Sequence, residues 1–140
     1  MPALAALIAR HAGREGPLLP ILNDVQAAYG CISDEAVIEI AAALNLSRAE
    51  VSGVVSFYHD YRRTAAAHPV LKLCGAEACQ ARGARALASD AAALAAGRVE
   101  IETVYCLGLC SVGPAALVGE TVHARLDAAT LAALIDEVAR

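Results

Sequence analysis

The sequence predicts an α/β protein in two parts, an N-terminal helical bundle over residues 1–64 and a β-α-β-β-β-α domain over residues 65–140. Three observations carry this reading. Apolar residues in the first part recur at the 3.6-residue spacing of amphipathic helices. From about residue 65 the pattern changes to short apolar runs and period-2 alternation around one alanine-rich segment. Four of the five cysteines form two close pairs, Cys74/Cys79 and Cys106/Cys110, each directly after a predicted strand.

The apolar start, residues 1–10, lacks the basic region of a signal peptide and reads as a short helix or a loosely held terminus. Pro17 suits a first helical turn. Leu18, Leu19, Leu22, Val25 and Gln26 follow, and Gly30 is the stop. Ser33-Asp-Glu opens the next helix, since the hydroxyl caps free amides and the acids suit a helix N-terminus. Val37, Ile38, Ile40, Ala41, Leu44 and Leu46 supply its apolar stripe. Ser47-Arg-Ala-Glu50 is a capping box for a helix running to about Tyr58.

Residues 64–69 read as a linker, with Pro69 fitting a strand edge. Val70-Leu-Lys-Leu73 is a short strand ending at Cys74. An alanine-rich helix spans 83–96 and stops at Gly97. Val99-Glu-Ile-Glu-Thr103 alternates as a half-buried strand and leads to Cys106. Strands over 115–118 and 121–124 flank Gly119-Glu120, a two-residue turn with glycine first. Asp127 caps a last helix carrying Leu131, Leu134, Ile135 and Val138 on one face. This is the element order of a thioredoxin-like core. If the two strands of the β-α-β unit are parallel neighbours, both cysteine pairs leave the sheet at one end.

The chain has 140 residues, 58% of them hydrophobic and 19% charged, with no Trp and one Phe. Core packing must therefore rest on Leu, Ile and Val. A net charge of −4 without basic runs argues against nucleic acid or an anionic membrane as partner. No apolar stretch approaches the roughly 20 residues that span a bilayer. Without an export signal, five cysteines suit a reducing compartment, and the expected location is cytoplasmic.

Two thiol pairs brought together by folding suit a [2Fe–2S] cluster. Gly75, Gly108 and Gly113 permit close backbone approach. Leu107, Leu109, Val104 and Val112 are candidates to shield the site. No Lys or Arg lies inside either loop, so a low reduction potential is expected for a centre whose charge becomes more negative on reduction. By spacing alone, a structural Cys₄ zinc site remains open. A thiol–disulfide enzyme fits less well, because neither pair is Cys-X-X-Cys. Cys31 reads as a small buried hydrophobe. Phe57, Tyr58 and Tyr61 read as packing between helices, and His59 as a solvent or capping residue. No acid–base pair, nucleophilic triad or phosphate-binding loop is present.

Cys74, Cys79, Cys106, Cys110 and Pro114, in the spacing Cys-x4-Cys, long gap, Cys-x3-Cys-x3-Pro, resemble the thioredoxin-like [2Fe–2S] ferredoxin family. That family includes the small flavoprotein-associated subunit of respiratory complex I and relatives in soluble NAD-linked enzymes. Gly30-Cys-Ile-Ser-Asp-Glu-Ala-Val37 and the segment 46–61 are similar to its helical parts, and the likeness spans about residues 17–140. Within the family, Leu-Ser-Arg-Ala-Glu-Val and Phe-Tyr-His-Asp-Tyr-Arg most resemble the γ subunit of molybdenum-containing, NAD-dependent formate dehydrogenases. Ser52 and Cys31 depart from the pattern, in places where relatives often carry His and an aromatic.

The resemblance implies one [2Fe–2S] cluster held by Cys74, Cys79, Cys106 and Cys110, with no catalytic site in this chain. It implies a flavin- and NAD-binding partner in direct contact and a large molybdenum- and iron–sulfur-containing catalytic subunit. FMN, further iron–sulfur clusters and molybdenum cofactor would sit in those partners only. The alternatives are the equivalent subunit of NADH:quinone oxidoreductase or of an NAD-linked hydrogenase and, more distantly, a zinc-stabilised interaction domain.

Overall fold

The computed structural model describes residues 2–140, and its contacts divide the chain after Ala66 into two compact units. The first contains helices α1 (Leu4–His11), α2 (Leu18–Tyr29), α3 (Asp34–Leu44) and α4 (Arg48–Phe57). The expected terminal helix thus begins at Leu4, while Met1 lies outside the described residues. Gly30 ends α2 at φ 75° and Asn45 ends α3 at φ 54°, left-handed positions that glycine and asparagine tolerate best. Ser33 Oγ accepts from the Ala36 N–H at 3.2 Å. The capping box is complete: Glu50 N–H donates to Ser47 Oγ at 3.1 Å, and Ser47 N–H donates to Glu50 Oε2 at 2.7 Å.

Ile21, Leu22, Val25, Ile32, Val37, Ile40, Val51 and Val55 form the interior of this unit. Ile38, expected on the α3 stripe, is instead 48% exposed. It follows Val37 by one position, about 100° around the helix, and so leaves the face that Val37, Ile40 and Ala41 share. The segment after α4 is tied back to α2 by Gln26. Its Nε2 donates to the Asp60 carbonyl, and its Oε1 accepts from the Arg62 N–H at 2.9 Å. The Arg62 carbonyl in turn accepts from the Ile32 N–H at 2.7 Å. Asp24 links α2 to α1 through Arg10 at 2.8 Å and the buried His11 at 2.9 Å.

The helix-end carboxylates give this fold an acid sensitivity of definite sign. The Asp24 carboxyl is held below its ordinary value by the His11 hydrogen bond first, and Glu50 by the Ser47 backbone N–H. A folded-state value below the unfolded one contributes stability above the unfolded value, lost as pH falls through the folded one. The urea midpoint of wild type should therefore exceed that of Glu50→Gln at pH 7, and the gap should close below about pH 4. A gap unchanged down to about pH 2 would contradict this assignment.

The second unit runs β1 (Val70–Cys74), α5 (Glu77–Ala81), α6 (Ala84–Ala95), β2 (Glu100–Val104), a 3-10 turn (Cys110–Val112), β3 (Ala116–Val118), β4 (Thr121–His123) and α7 (Ala128–Val138). The sheet order is β2-β1-β3-β4. β1 and β2 are parallel, whereas β1–β3 and β3–β4 are antiparallel. The thioredoxin-like order expected from the sequence is present, with α5 and the 3-10 turn added inside the two cysteine segments. These short elements carry no periodicity of their own, so pattern alone does not reveal them.

Leu71 and Leu73 on β1 pack with Ala91 and Ala95 of α6 and Leu131, Leu134 and Ile135 of α7. Alanine along α6 serves close helix–sheet approach, since it leaves no long side chain to separate the layers. Gly119 takes φ 56° at the first position of the β3–β4 turn, where a glycine is required. Asp127 caps α7 by accepting the Thr130 N–H at 2.8 Å.

Candidate iron–sulfur site

The parallel register pairs Cys74 with Val104, the last residues of β1 and β2. Both cysteine segments therefore leave the sheet at the same end. Gly75 N–H donates to the Val104 carbonyl at 2.9 Å, holding the segments side by side. A Cβ at Gly75 would lie 2.9 Å from Thr103 Cγ2, so only glycine permits this approach. Cys79 lies in α5, which folds back over the strand ends. Gln80 Nε2 donates to the Gly75 carbonyl at 2.6 Å, and Arg85 donates to Gln80 Oε1 at 2.7 Å.

The second segment turns on two left-handed residues, Cys106 at φ 72° and Gly108 at φ 77°. The reversal brings Cys106 Sγ and Cys110 Sγ to 3.6 Å. Beyond the 3-10 turn, Gly113–Pro114 is cis, resolving an isomer that sequence leaves open. Ala115 then accepts the Cys74 N–H at 2.9 Å. A Cβ built on Gly113 would lie 2.8 Å from Cys79 Sγ, so this third segment closes directly on the sulfur.

The two pairs differ in exposure. Cys74 and Cys79 are 2% and 3% exposed, while Cys106 and Cys110 face solvent. Burial pushes the Cys74 thiol up, but backbone N–H groups of Ala76, Cys106 and Leu107 and the Cys79 thiol outweigh it, leaving the net value lowered. Cys79 is raised, by burial first and then by its hydrogen bond to Cys74. Cys110 is raised by its hydrogen bond with Cys106 and then by that residue's charge. The charge of Cys74 acts on both Cys79 and Cys110, so the pairs feel each other across the site.

This arrangement suits a binuclear centre. Four soft donors stand as two facing pairs, and N–H groups already point at one sulfur, where such groups tune a cluster. Among the described residues, no three His, Cys, Asp or Glu side chains form a group placed to hold one metal ion. Ala84 and Ala115 are buried with Cys74 and Cys79, and Ala76, Val104, Leu107 and Leu109 pack against them. Three of the four expected shielding residues are thus in place, while Val112 stands outside that cluster.

Several side chains differ from their expected surroundings. Cys31 is half-buried and lines a separate cavity with Leu4, Val25, Tyr29 and Glu35. Phe57 meets Tyr58 edge to face at 5.1 Å but is 74% exposed, so it is not interhelical packing. Tyr61 is held, its hydroxyl donating to Asn23 Oδ1 at 2.7 Å. His59 is exposed. Sequence reasoning missed Gln80 and Arg82, whose only signal was their closeness to Cys79, and exposed Tyr105, whose ring lies beside Gly75.

Comparison with known proteins places this geometry. Residues 4–139 match the family described as thioredoxin-like [2Fe-2S] ferredoxin. A small NADH-quinone oxidoreductase subunit of Rhizobium meliloti is 28% identical, covering 95% of this chain and 84% of its own length. NADH-quinone oxidoreductase subunit 2 of Thermus thermophilus is 30% identical over 83% of this chain and 72% of its own. NADP-reducing hydrogenase subunit HndA of Solidesulfovibrio fructosivorans is 29% identical over 79% of this chain and 70% of its own. The crystal structure of an air-oxidized NAD+-reducing [NiFe]-hydrogenase superposes with a TM-score of 0.73 at 27% identity, over 86% of this chain. This chain spans 22% of that hydrogenase chain. With the family match running from α1 through α7 and over both cysteine pairs, the chain belongs to the thioredoxin-like [2Fe–2S] ferredoxin family.

Proposed function

We propose that this chain is a [2Fe–2S] electron-transfer subunit of an NAD-linked oxidoreductase complex. Cys74 and Cys79 would hold one iron, and Cys106 and Cys110 the other. The observation that carries this is the delivery of two thiol pairs to one end of a parallel strand pair, one pair buried and one exposed. Bound there, the cluster supplies one-electron exchange. The chain's own residues do the rest. N–H groups of Ala76, Cys106 and Leu107 favour the Cys74 thiolate, Val104, Leu107 and Leu109 exclude water, and exposed Cys106 and Cys110 leave an edge open to a redox partner.

The finer reading is the γ subunit of a cytoplasmic, molybdenum-containing, NAD-dependent formate dehydrogenase, supported by the residues at 46–51 and 57–62. Residues 1–64 would then be a helical domain contacting the flavin- and NAD-binding subunit through exposed Phe57, and residues 65–140 the cluster domain. FMN, further clusters and molybdenum cofactor would belong to the partner subunits. A second reading, membership of an NADH:quinone oxidoreductase or a hydrogenase, is favoured by the names of the relatives. Among the described residues no helix is long and apolar enough to cross a membrane.

Affinity purification of the native complex through a tag on this chain separates these readings. Formate-dependent NAD+ reduction by the co-purifying subunits is the expected result. Quinone reduction in a membrane fraction, or hydrogen-dependent reduction, would replace it with the second reading. Colourless protein carrying zinc and no iron would overturn both.

A further inference from the structure

Both cysteine loops lack Lys and Arg, yet the fold brings a cation to one of the sulfurs. Arg82 lies outside the loops, at the C-terminal cap of α5 and three positions after Cys79. The point where a Cβ on Gly113 would sit is 2.8 Å from Cys79 Sγ and 3.6 Å from Arg82 Cδ. The arginine stem therefore runs beside the same sulfur that the 113–115 segment closes upon. Arg82 is exposed, and the ion pairs among the described residues do not include it. Arg85, one turn later, is engaged with Gln80 instead.

We propose that Arg82 is a positioning residue for charge, whose guanidinium favours the more electron-rich state of a centre held by Cys79 and so raises its reduction potential. The proposal rests on the reading of the four cysteines as iron ligands. One electron from a reductant takes a four-thiolate [2Fe–2S] site from a charge of about −2 to about −3, with no atom gained or lost. A neighbouring cation stabilises the second state more than the first. Across about 6 Å of water-like surroundings, one unit charge shifts such an equilibrium about threefold. At about 59 mV per decade for one electron, that is about 28 mV. Because Arg82 faces solvent, salt should weaken its influence, the Debye length shrinking to about 3 Å at 1 M.

The test is a dithionite titration of the full, cluster-loaded chain, followed by EPR and visible absorption at low and high salt. Wild type is compared with Arg82→Gln, Arg82→Met, Arg82→Lys and Arg140→Gln. Arg140 follows the far end of α7, whose start is tied to the site by the Leu126 N–H donating to Pro114. The uncharged Arg82 variants should be about threefold harder to reduce than wild type at low salt. Arg82→Lys should return most of the difference, Arg140→Gln should match wild type, and 1 M salt should bring all five together. Equal potentials in wild type and either uncharged variant that loads, or a deficit that Arg82→Lys does not relieve, would overturn the proposal. Absence of iron and of an EPR signal in wild type would instead remove the iron–sulfur reading beneath it.

Discussion

Cys106→Ala is expected to abolish the visible absorption of the oxidised [2Fe–2S] centre and the EPR signal of the reduced one. Cys106 Sγ faces Cys110 Sγ at 3.6 Å, so its removal leaves one sulfur where an iron needs two. The fold itself should tolerate the change. Cys106 is exposed, and surface substitutions mostly stay within about 0.5 kcal/mol. Alanine also meets the left-handed backbone at 106 on much the same terms as cysteine, since both carry a Cβ. Thermal unfolding of the cluster-free proteins should therefore nearly coincide while iron content differs. Cys31→Ala is the matched control: its thiol lines a cavity in the helical unit, and both spectroscopic signals should survive. Iron and spectra unchanged in Cys106→Ala would remove Cys106 from the ligand set.

Gly113→Ala should be nearly as damaging although it removes no ligand. The added methyl would stand 2.8 Å from Cys79 Sγ and 3.5 Å from Cys79 Cα. Ordinary carbon contacts lie at about 3.5–4.0 Å, so the sulfur must turn away or the segment leading to Ala115 must shift. Overpacking of this kind costs about 1–3 kcal/mol, and here it displaces a ligand sulfur as well. Iron loading should fall to a small fraction of the wild-type level. Gly108→Ala separates crowding from backbone strain. Gly108 has φ 77° but open space where its Cβ would point, so that variant should lose about 1–2 kcal/mol and still load iron. Full iron loading in Gly113→Ala would show that the site has room that the geometry denies.

The helical unit was largely legible because its signals are local. Ser33, Ser47, Gly30 and Glu50 each act within one turn of their own helix, so capping chemistry marked the helix ends within a residue or two. Ile38 went wrong for a related reason. A broad apolar stripe does not say where its margin lies, and that margin depends on which helix packs opposite. The same holds for Phe57, whose aromatic character predicts burial that its place at the end of α4 does not provide.

By itself the sequence determined the succession of elements, the strands that carry the cysteines and the thiol chemistry of the site, since periodicity, caps and residue type act over a few neighbours. Only the tertiary structure decided that β1 and β2 lie parallel, that one thiol pair is buried and the other exposed, and that Gly113 and Arg82 stand against Cys79. Those relations join segments some thirty residues apart in the chain. They are set by sheet register and by the closing of one loop on another, which depend on the packing of the whole unit.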